Sequence, residues 1–370
     1  MKRLLCLVLC AVLLSGVRIS AMAVSAKAAA VINGDTGEIF FSQNADEKLP
    51  MASTTKIMTA LLLCEHGEPE KEITVTADML RVEGSSMGLL AGDRVTYHDL
   101  LYGMMLASGN DAANVTAIAL GGSVEQFVEK MNAKAAELGL NYTHFVTPSG
   151  LDADGHYTTA AELAALAAYA LKNENFAKAA ASESAVLNYG NPPYRRSLKN
   201  HNKMLKLYDG AMGVKTGFTK KSGRCLVSAA RQDGKLAVAV TLNDPNDWED
   251  HAALLDFGLS EIKQTDYSPK TSMYAIPVIG SDIEKLQVFI EPYTVNTLET
   301  QNINCTVNLP KFLYAPIKKG EVLGSAVYTL NGKVIGTVEL KALTGAEPYS
   351  ESPGIAEILI RNIKYIFLNF

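Results

Sequence analysis

Pro50-Met51-Ala52-Ser53-Thr54-Thr55-Lys56, running on into Ile57-Met58-Thr59-Ala60-Leu61-Leu62-Leu63, is the stretch from which the rest of the chain is best read. Pro50 and the small, hydroxylated residues after it suit a helix start, and an apolar helical body follows. Three residues separate Ser53 from Lys56, so both side chains emerge on one helical face. A serine hydroxyl is a weak nucleophile until a neighbouring base takes its proton, and a lysine held in a dry site can be that base. Ser53 is expected in the first helical turn, where the helix dipole favours developing negative charge. The spacing alone is not specific. Ser260-Glu261-Ile262-Lys263 repeats it and reads as an ordinary helix surface, and a helix cap beside a solvated lysine would account for Ser53 equally well.

Two further stretches decide between these readings. Ser108-Gly109-Asn110 follows an apolar helical run from Leu100 to Ala107, and Lys215-Thr216-Gly217 precedes strongly β-like segments. Ser-x-x-Lys, Ser-x-Asn and Lys-Thr-Gly in that order form the motif set of penicillin-binding proteins and serine β-lactamases.

The chain between about residues 24 and 265 reads as α+β. Ala29–Asn33 and Glu38–Phe41 are strands joined by the Gly34-Asp35-Thr36-Gly37 turn. Helical periodicity runs from Ser53 to Cys64, around Leu100–Leu106, and over Asp111–Leu120, Val124–Leu138 and Ala160–Leu171. Strand character returns at Leu226–Ala230 and Leu236–Leu242. Strands at both ends with helices between them predict one antiparallel sheet with helices packed on it. Such a fold gathers the Ser53 helix, the Ser108 loop and the Lys215 strand around one cleft.

With these residues in view, the sequence resembles the D-alanyl-D-alanine carboxypeptidases, low-molecular-weight penicillin-binding proteins of the S11 peptidase type. The likeness rests on Ser53-Thr54-Thr55-Lys56, Ser108-Gly109-Asn110-Asp111-Ala112-Ala113 and Lys215-Thr216-Gly217-Phe218-Thr219. Pro148-Ser149-Gly150-Leu151-Asp152 and His156-Tyr157-Thr158-Thr159-Ala160 add to it, and it extends over the whole mature chain. The resemblance implies a transpeptidase-like catalytic domain in which Ser53 attacks the carbonyl between two terminal D-alanines of a peptidoglycan stem peptide. Lys56 would take the serine proton, Ser108 would relay a proton to the departing D-alanine, and Asn110 would bind the substrate amide. Lys215 and Thr216 would hold the terminal carboxylate. The N–H groups of Ser53 and Phe218, with Gly217 between Thr216 and Phe218, would line the oxyanion hole, where one donor is worth roughly 3–4 kcal/mol. Water would release the acyl group, whereas a β-lactam would leave a slow adduct.

Two departures concern carboxylate recognition. Phe218 stands where many relatives carry histidine, and Asn246-Asp247-Trp248-Glu249-Asp250-His251 lacks the arginine some relatives use. Either Arg224 substitutes or Lys215 and Thr216 suffice. Asn200-His201-Asn202 reads as cleft lining or as a polar turn.

Met1-Lys2-Arg3, the apolar run Leu4–Leu14 and Ala21-Met22-Ala23 read as a secretory signal over residues 1–23, too short in its apolar part for a spanning helix. Its removal takes Lys2, Arg3 and Arg18 and no acid, so the net charge passes from −5 to −8. An acidic chain without basic blocks argues against nucleic acid as partner. Cys6 and Cys10 leave with the signal. Cys64, Cys225 and Cys305 are too scattered for a disulfide framework, and Cys64, in an apolar helix, and Cys225, in a hydrophobic strand, read as buried thiols. Gly210–Thr216 lacks the Gly-Lys-Ser/Thr of a phosphate loop, and the dispersed histidines form no zinc motif, so neither metal nor cofactor is expected.

From about Tyr267 the pattern changes to short strands: Tyr274–Val278, Leu286–Ile290, Cys305–Leu309, and Ala326–Leu330 with Lys333–Leu340 around the hairpin signal Asn331-Gly332. Residues 266–349 are expected to form a small all-β sandwich that serves as spacer or interaction module. In residues 350–370, Glu357, Arg361 and Lys364 share one helical face amid isoleucine, leucine and phenylalanine. This amphipathic helix suits the outer face of the cytoplasmic membrane, with docking on its own domain as the alternative.

Two other activities were weighed. A serine β-lactamase needs a further activated carboxylate, and no Glu-x-x-x-Asn segment supplies it convincingly. A catalytically silent wall-binding protein does not need Ser53, Lys56, Ser108, Asn110 and Lys215 together.

Overall fold

The computed structural model describes residues 24–298 and 303–349, with Gly354. The signal segment 1–23 and, apart from Gly354, the helix expected over 350–370 lie outside the described residues.

Strand β1 (Ala28–Asn33) is buried at every position and leads into β2 (Ile39–Gln43) through the expected turn. A 3-10 turn, Ala52–Thr55, precedes helix α1 (Lys56–His66). A small ribbon follows, β3 (Glu72–Thr74) with β4 (Arg94–Thr96). Then come α2 (Tyr97–Met105), α3 (Asn110–Gly121), α4 (Val124–Glu137), α5 (Ala160–Ala170) and α6 (Glu174–Ala181). The capping box of Thr96 with Asp99 opens α2, and Ser123, Thr159 and Asn173 cap α4, α5 and α6. Strands β5 (Ser184–Gly190) and β6 (Pro193–Lys199) make a separate hairpin, followed by the short helix α7 (Met204–Leu207). Strands β7 (Ala211–Thr219), β8 (Gly223–Gln232) and β9 (Lys235–Leu242) form a meander, and α8 (Asp247–Glu261) closes the catalytic part.

The main sheet has the order β2-β1-β9-β8-β7, antiparallel throughout. Its two chain ends meet at β1 and β9, where Val31 pairs with Ala239. One face carries the principal core, in which Ile32, Val227 and Val240 pack with Ile57, Leu61, Met104, Phe127 and Leu163. The other face, including Val31, Leu226 and Ala239, is covered by Leu254, Leu255 and Leu259 of α8. Burial on both faces explains why β1, β8 and β9 read as apolar runs rather than as alternating strands. β7 is the edge strand, which leaves one side of its backbone open toward the site.

The β-rich part contains β10 (Lys263–Tyr267), β11 (Met273–Ile279), β12 (Lys285–Phe289), β13 (Tyr293–Thr297), β14 (Ile303–Asn308), β15 (Leu313–Tyr314), β16 (Val322–Leu330) and β17 (Lys333–Lys341). Sheets β12-β11-β15 and β14-β16-β17 share one core through Ile276, Leu286, Val288, Ala326, Tyr328 and Leu340, as expected of a small sandwich. Asn331 and Gly332 both have positive φ, 50° and 80°, and turn the β16–β17 hairpin. Asn33 and Glu38 reach across to β13: Asn33 Nδ2 donates to Asn296 O at 2.6 Å, and Thr297 Oγ1 donates to a carboxylate oxygen of Glu38 at 2.5 Å.

Candidate active site

Ser53 lies on the 3-10 turn, one residue after Ala52, whose φ is 47°. It therefore precedes α1 instead of occupying its first α-turn, as the sequence had suggested. Local hydrogen bonds shape this tight entry. Thr54 Oγ1 donates to Met51 O at 2.6 Å and Thr55 Oγ1 to Ala52 O at 2.8 Å. The geometry still puts Ser53 and Lys56 together: Lys56 Nζ lies 3.0 Å from Ser53 Oγ.

Lys56 is fully buried. Its Nζ donates to Asn110 Oδ1 and to Ser149 O, both at 2.7 Å. Burial holds its pKa well below the usual lysine range, and the nearby charge of Lys215 pushes the same way against a smaller opposing pull from Asp111. Lys215, 1% exposed, is lowered by burial to about 7, and its Nζ donates to Thr216 O at 3.0 Å. Two lysines enclosed this way resist carrying two charges at once.

Ser108 occupies the α2–α3 turn with φ 55° and is nearly buried. Two residues later, Asn110 opens α3. Its Oδ1 receives Lys56 and its Nδ2 donates to Glu83 O at 2.7 Å, so both ends of the amide are engaged within the protein. The expected contact of Asn110 with the substrate amide is thus preceded by a task the sequence did not disclose, the orientation of Lys56. Its neighbour Asp111 accepts hydrogen bonds from Ser86 Oγ and from the N–H groups of Met87, Gly88 and Leu89, which clamps that loop beside the site. From outside, Tyr189 OH donates to Met87 O at 2.8 Å, and Arg196 donates to Gly88 O while stacked between Tyr189 and Tyr194.

Strand β7 runs against the Ser53 turn. A Cβ on Gly217 would stand 3.0 Å from Ser53 N. Only a residue without a side chain lets the strand approach this closely. Thr216 is half-buried and Phe218 is 67% exposed at the rim. Across the β7–β8 pair Phe218 faces Arg224, whose Nη1 stands 3.6 Å from Asp247 Oδ1. His201 is an exposed residue whose pKa is lowered by partial burial of its ring and by the charge of Lys215. Ser260, in contrast, is exposed on α8, and its hydroxyl donates to Phe257 O.

The 146–156 segment straps the site from a third side. Ser149 O holds Lys56, Thr59 Oγ1 donates to Pro148 O at 2.6 Å, and Thr219 Oγ1 donates to Asp152 Oδ1 at 3.0 Å. Val146 N–H donates to His156 Nδ1 at 2.9 Å, so the ring hydrogen sits on Nε2, which faces Thr55 Oγ1 at 2.8 Å. Burial lowers the His156 pKa to about 4, so the ring is neutral around pH 7. Ser149, Gly150 and His156 appear in the sequence motifs, but nothing in residue type or spacing announces these contacts.

Comparison with known proteins agrees with this geometry. The family model for D-alanyl-D-alanine carboxypeptidase, peptidase S11, matches residues 16–246, and that for the C-terminal domain of penicillin-binding protein 5 matches residues 267–347. D-alanyl-D-alanine carboxypeptidase DacF of Bacillus subtilis is 33% identical over 359 residues, spanning 90% of this chain and 92% of that protein. DacC of Escherichia coli is 31% identical over 338 residues, 86% and 83% of the two chains. The crystal structure of D-alanyl-D-alanine carboxypeptidase DacD from Francisella tularensis superposes with a TM-score of 0.65 at 26% identity, covering 90% of this chain and 96% of that one. On its matched length and its fold, the chain belongs to the D-alanyl-D-alanine carboxypeptidase family of S11 peptidases.

Proposed function

We propose that Ser53 is the nucleophile and Lys56 the base of a serine-type D-Ala-D-Ala carboxypeptidase, which trims the terminal D-alanine from peptidoglycan stem peptides and is acylated by β-lactams. The observation that carries this assignment is the environment of Lys56 Nζ. A neutral amine has two hydrogens and one lone pair. Asn110 Oδ1 and Ser149 O take the two hydrogens, which leaves the lone pair for the proton of Ser53 Oγ, 3.0 Å away. Burial and Lys215 favour that neutral state.

Ser53 Oγ then bonds to the penultimate carbonyl carbon, and its proton passes to Lys56. The oxyanion is received by the N–H groups of Ser53 and Phe218, the first on the 3-10 turn before α1 and the second on open strand β7. Collapse breaks the C–N bond, and D-alanine leaves with a proton relayed from Lys56 through Ser108. Water, deprotonated by Lys56, cleaves the ester and restores Ser53. Lys215, Thr216 and the β7 backbone along Gly217 hold the terminal carboxylate. Like the family, the protein works outside the cytoplasm. Residues 24–265 act as the catalytic domain and 266–349 as a β-rich module. The amphipathic pattern of residues 350–370 supports attachment to the outer face of the cytoplasmic membrane.

The test is mass spectrometry of the protein incubated with penicillin and, separately, with a peptide ending in D-Ala-D-Ala. A covalent adduct on Ser53 together with released D-alanine is expected. A folded sample giving neither overturns the assignment, and rapid turnover of the penicillin would favour a β-lactamase.

A further inference from the structure

Away from the catalytic cleft, a cavity of about 300 Å³ opens where the main-sheet turns meet the β-rich part. Asp35 comes from the β1–β2 turn, Lys172 from the end of α5 and Arg231 from β8, while Tyr293, Asn296 and Ile335 come from the β-rich part. Neither part forms this cavity by itself. Its size lies at the lower end of ligand sites and admits a sugar or a dipeptide.

The charges of the wall do not balance. Arg231 meets Asp35 at 3.4 Å and donates to Gly234 O at 3.0 Å. Asn296 Nδ2 donates to Gly234 O at 3.0 Å and to Asp35 Oδ2 at 3.4 Å. Lys172 forms no ion pair among the described residues, so the wall keeps one positive charge in excess. Asn296 Oδ1 is a buried acceptor without a hydrogen-bond partner. Tyr293 has its hydroxyl bonded to Ile335 O at 3.0 Å and one ring face stacked on Tyr328, and with Ile335 it supplies an apolar flank.

We propose that this cavity binds a second stretch of the wall polymer. A peptide carboxylate would meet Lys172 and Arg231, and a methyl group would lie against Tyr293 and Ile335. The identity of the polymer rests on the peptidoglycan reading above, while the cavity's excess positive charge and apolar flank do not. Occupation of this site would tether the polymer to the enzyme and raise the effective concentration of its stem peptides.

The test uses the full chain with its cleft blocked by penicillin. Calorimetric titration with N-acetylmuramyl-L-alanyl-D-isoglutamine is expected to show saturable binding, weakened about tenfold or more by Lys172→Glu. In parallel, Lys172→Glu is expected to lower kcat/KM on isolated wall sacculi roughly three- to tenfold while leaving a soluble D-Ala-D-Ala peptide unchanged. Absence of saturation, equal binding by wild type and variant, or displacement by acetate as effective as by the glycopeptide overturns the proposal. If the wild type releases no D-alanine from the soluble peptide, the assignment of the cleft fails, and the calorimetric arm still decides the cavity.

Discussion

Gly150 packs its backbone against Ala52 so closely that a Cβ on Gly150 would fall 1.9 Å from Ala52 O, with Gly150 at φ 89° and Ala52 at φ 47°. The residue preceding Ser53 is thus pinned in an uncommon conformation by a neighbour that has no room for a side chain. Gly150→Ala is expected to cost about 2–4 kcal/mol, combining positive-φ strain with the collision. Urea unfolding checks the stability, and the β-lactam acylation rate, expected to fall with it, reports displacement of the Ser53 turn.

Ser53→Ala and Lys56→Ala are each expected to lower D-alanine release by about 10³-fold or more, since the two groups act as a unit. The double variant should lose little beyond either single one. Additive losses measured by single-turnover kinetics would mean that Lys56 does not act through Ser53.

Lys215→Gln is expected to move the acid limb of acylation to higher pH. Removing that cation relieves part of the pressure on Lys56, whose pKa climbs back toward the ordinary lysine value, so more of it is protonated at neutral pH. The same change should stabilise the fold near pH 7. The folded pKa of Lys215, about 7, lies below its ordinary value of 10.5, so the associated stability is complete above 10.5 and is lost as pH falls toward 7. A pH series of β-lactam acylation rates and thermal melts reads both signs.

Two buried histidines predict acid sensitivity. His156 is lowered from 6.5 to about 4, and His251, held between Ser228 and Thr241, to about 3, each chiefly by burial. A depressed histidine pKa gives stability that is complete above 6.5 and lost as pH falls through the folded value. The urea midpoint should therefore drop between pH 6.5 and 4, and less so in His156→Gln.

Cell fractionation of the full chain and of one ending at Tyr349 addresses attachment. The full chain is expected with membranes and the shortened one in the soluble fraction. Membrane recovery of both removes residues 350–370 from any anchoring role.

Much of the fold was legible because its signals are local. The apolar runs at Ala29–Asn33 and Leu236–Leu242 announced the two ends of the sheet, and Asn331-Gly332 announced its hairpin. The β5–β6 ribbon was not, because its positions are mostly exposed and carry little alternation to read. Helix α8 was legible only at its end, where Ser260 and Glu261 read as helix surface, because its acidic start, Asp247, Glu249 and Asp250, carries little apolar periodicity. At the site, the motifs located Ser53, Lys56, Ser108, Asn110 and Lys215. The holding of Lys56 by Ser149 goes through a backbone carbonyl, which no residue type encodes. Asp111 and His156 act on partners far along the chain, and such pairings exist only once the chain is folded.

The pairing of β1 with β9 bears on biogenesis. Val31 cannot find Ala239 until nearly all of the catalytic part has been synthesised, so the sheet closes late and its contacts are long in sequence. Until β9 is made, β1 has only its hairpin partner β2, so the sheet stays incomplete through most of the chain's synthesis.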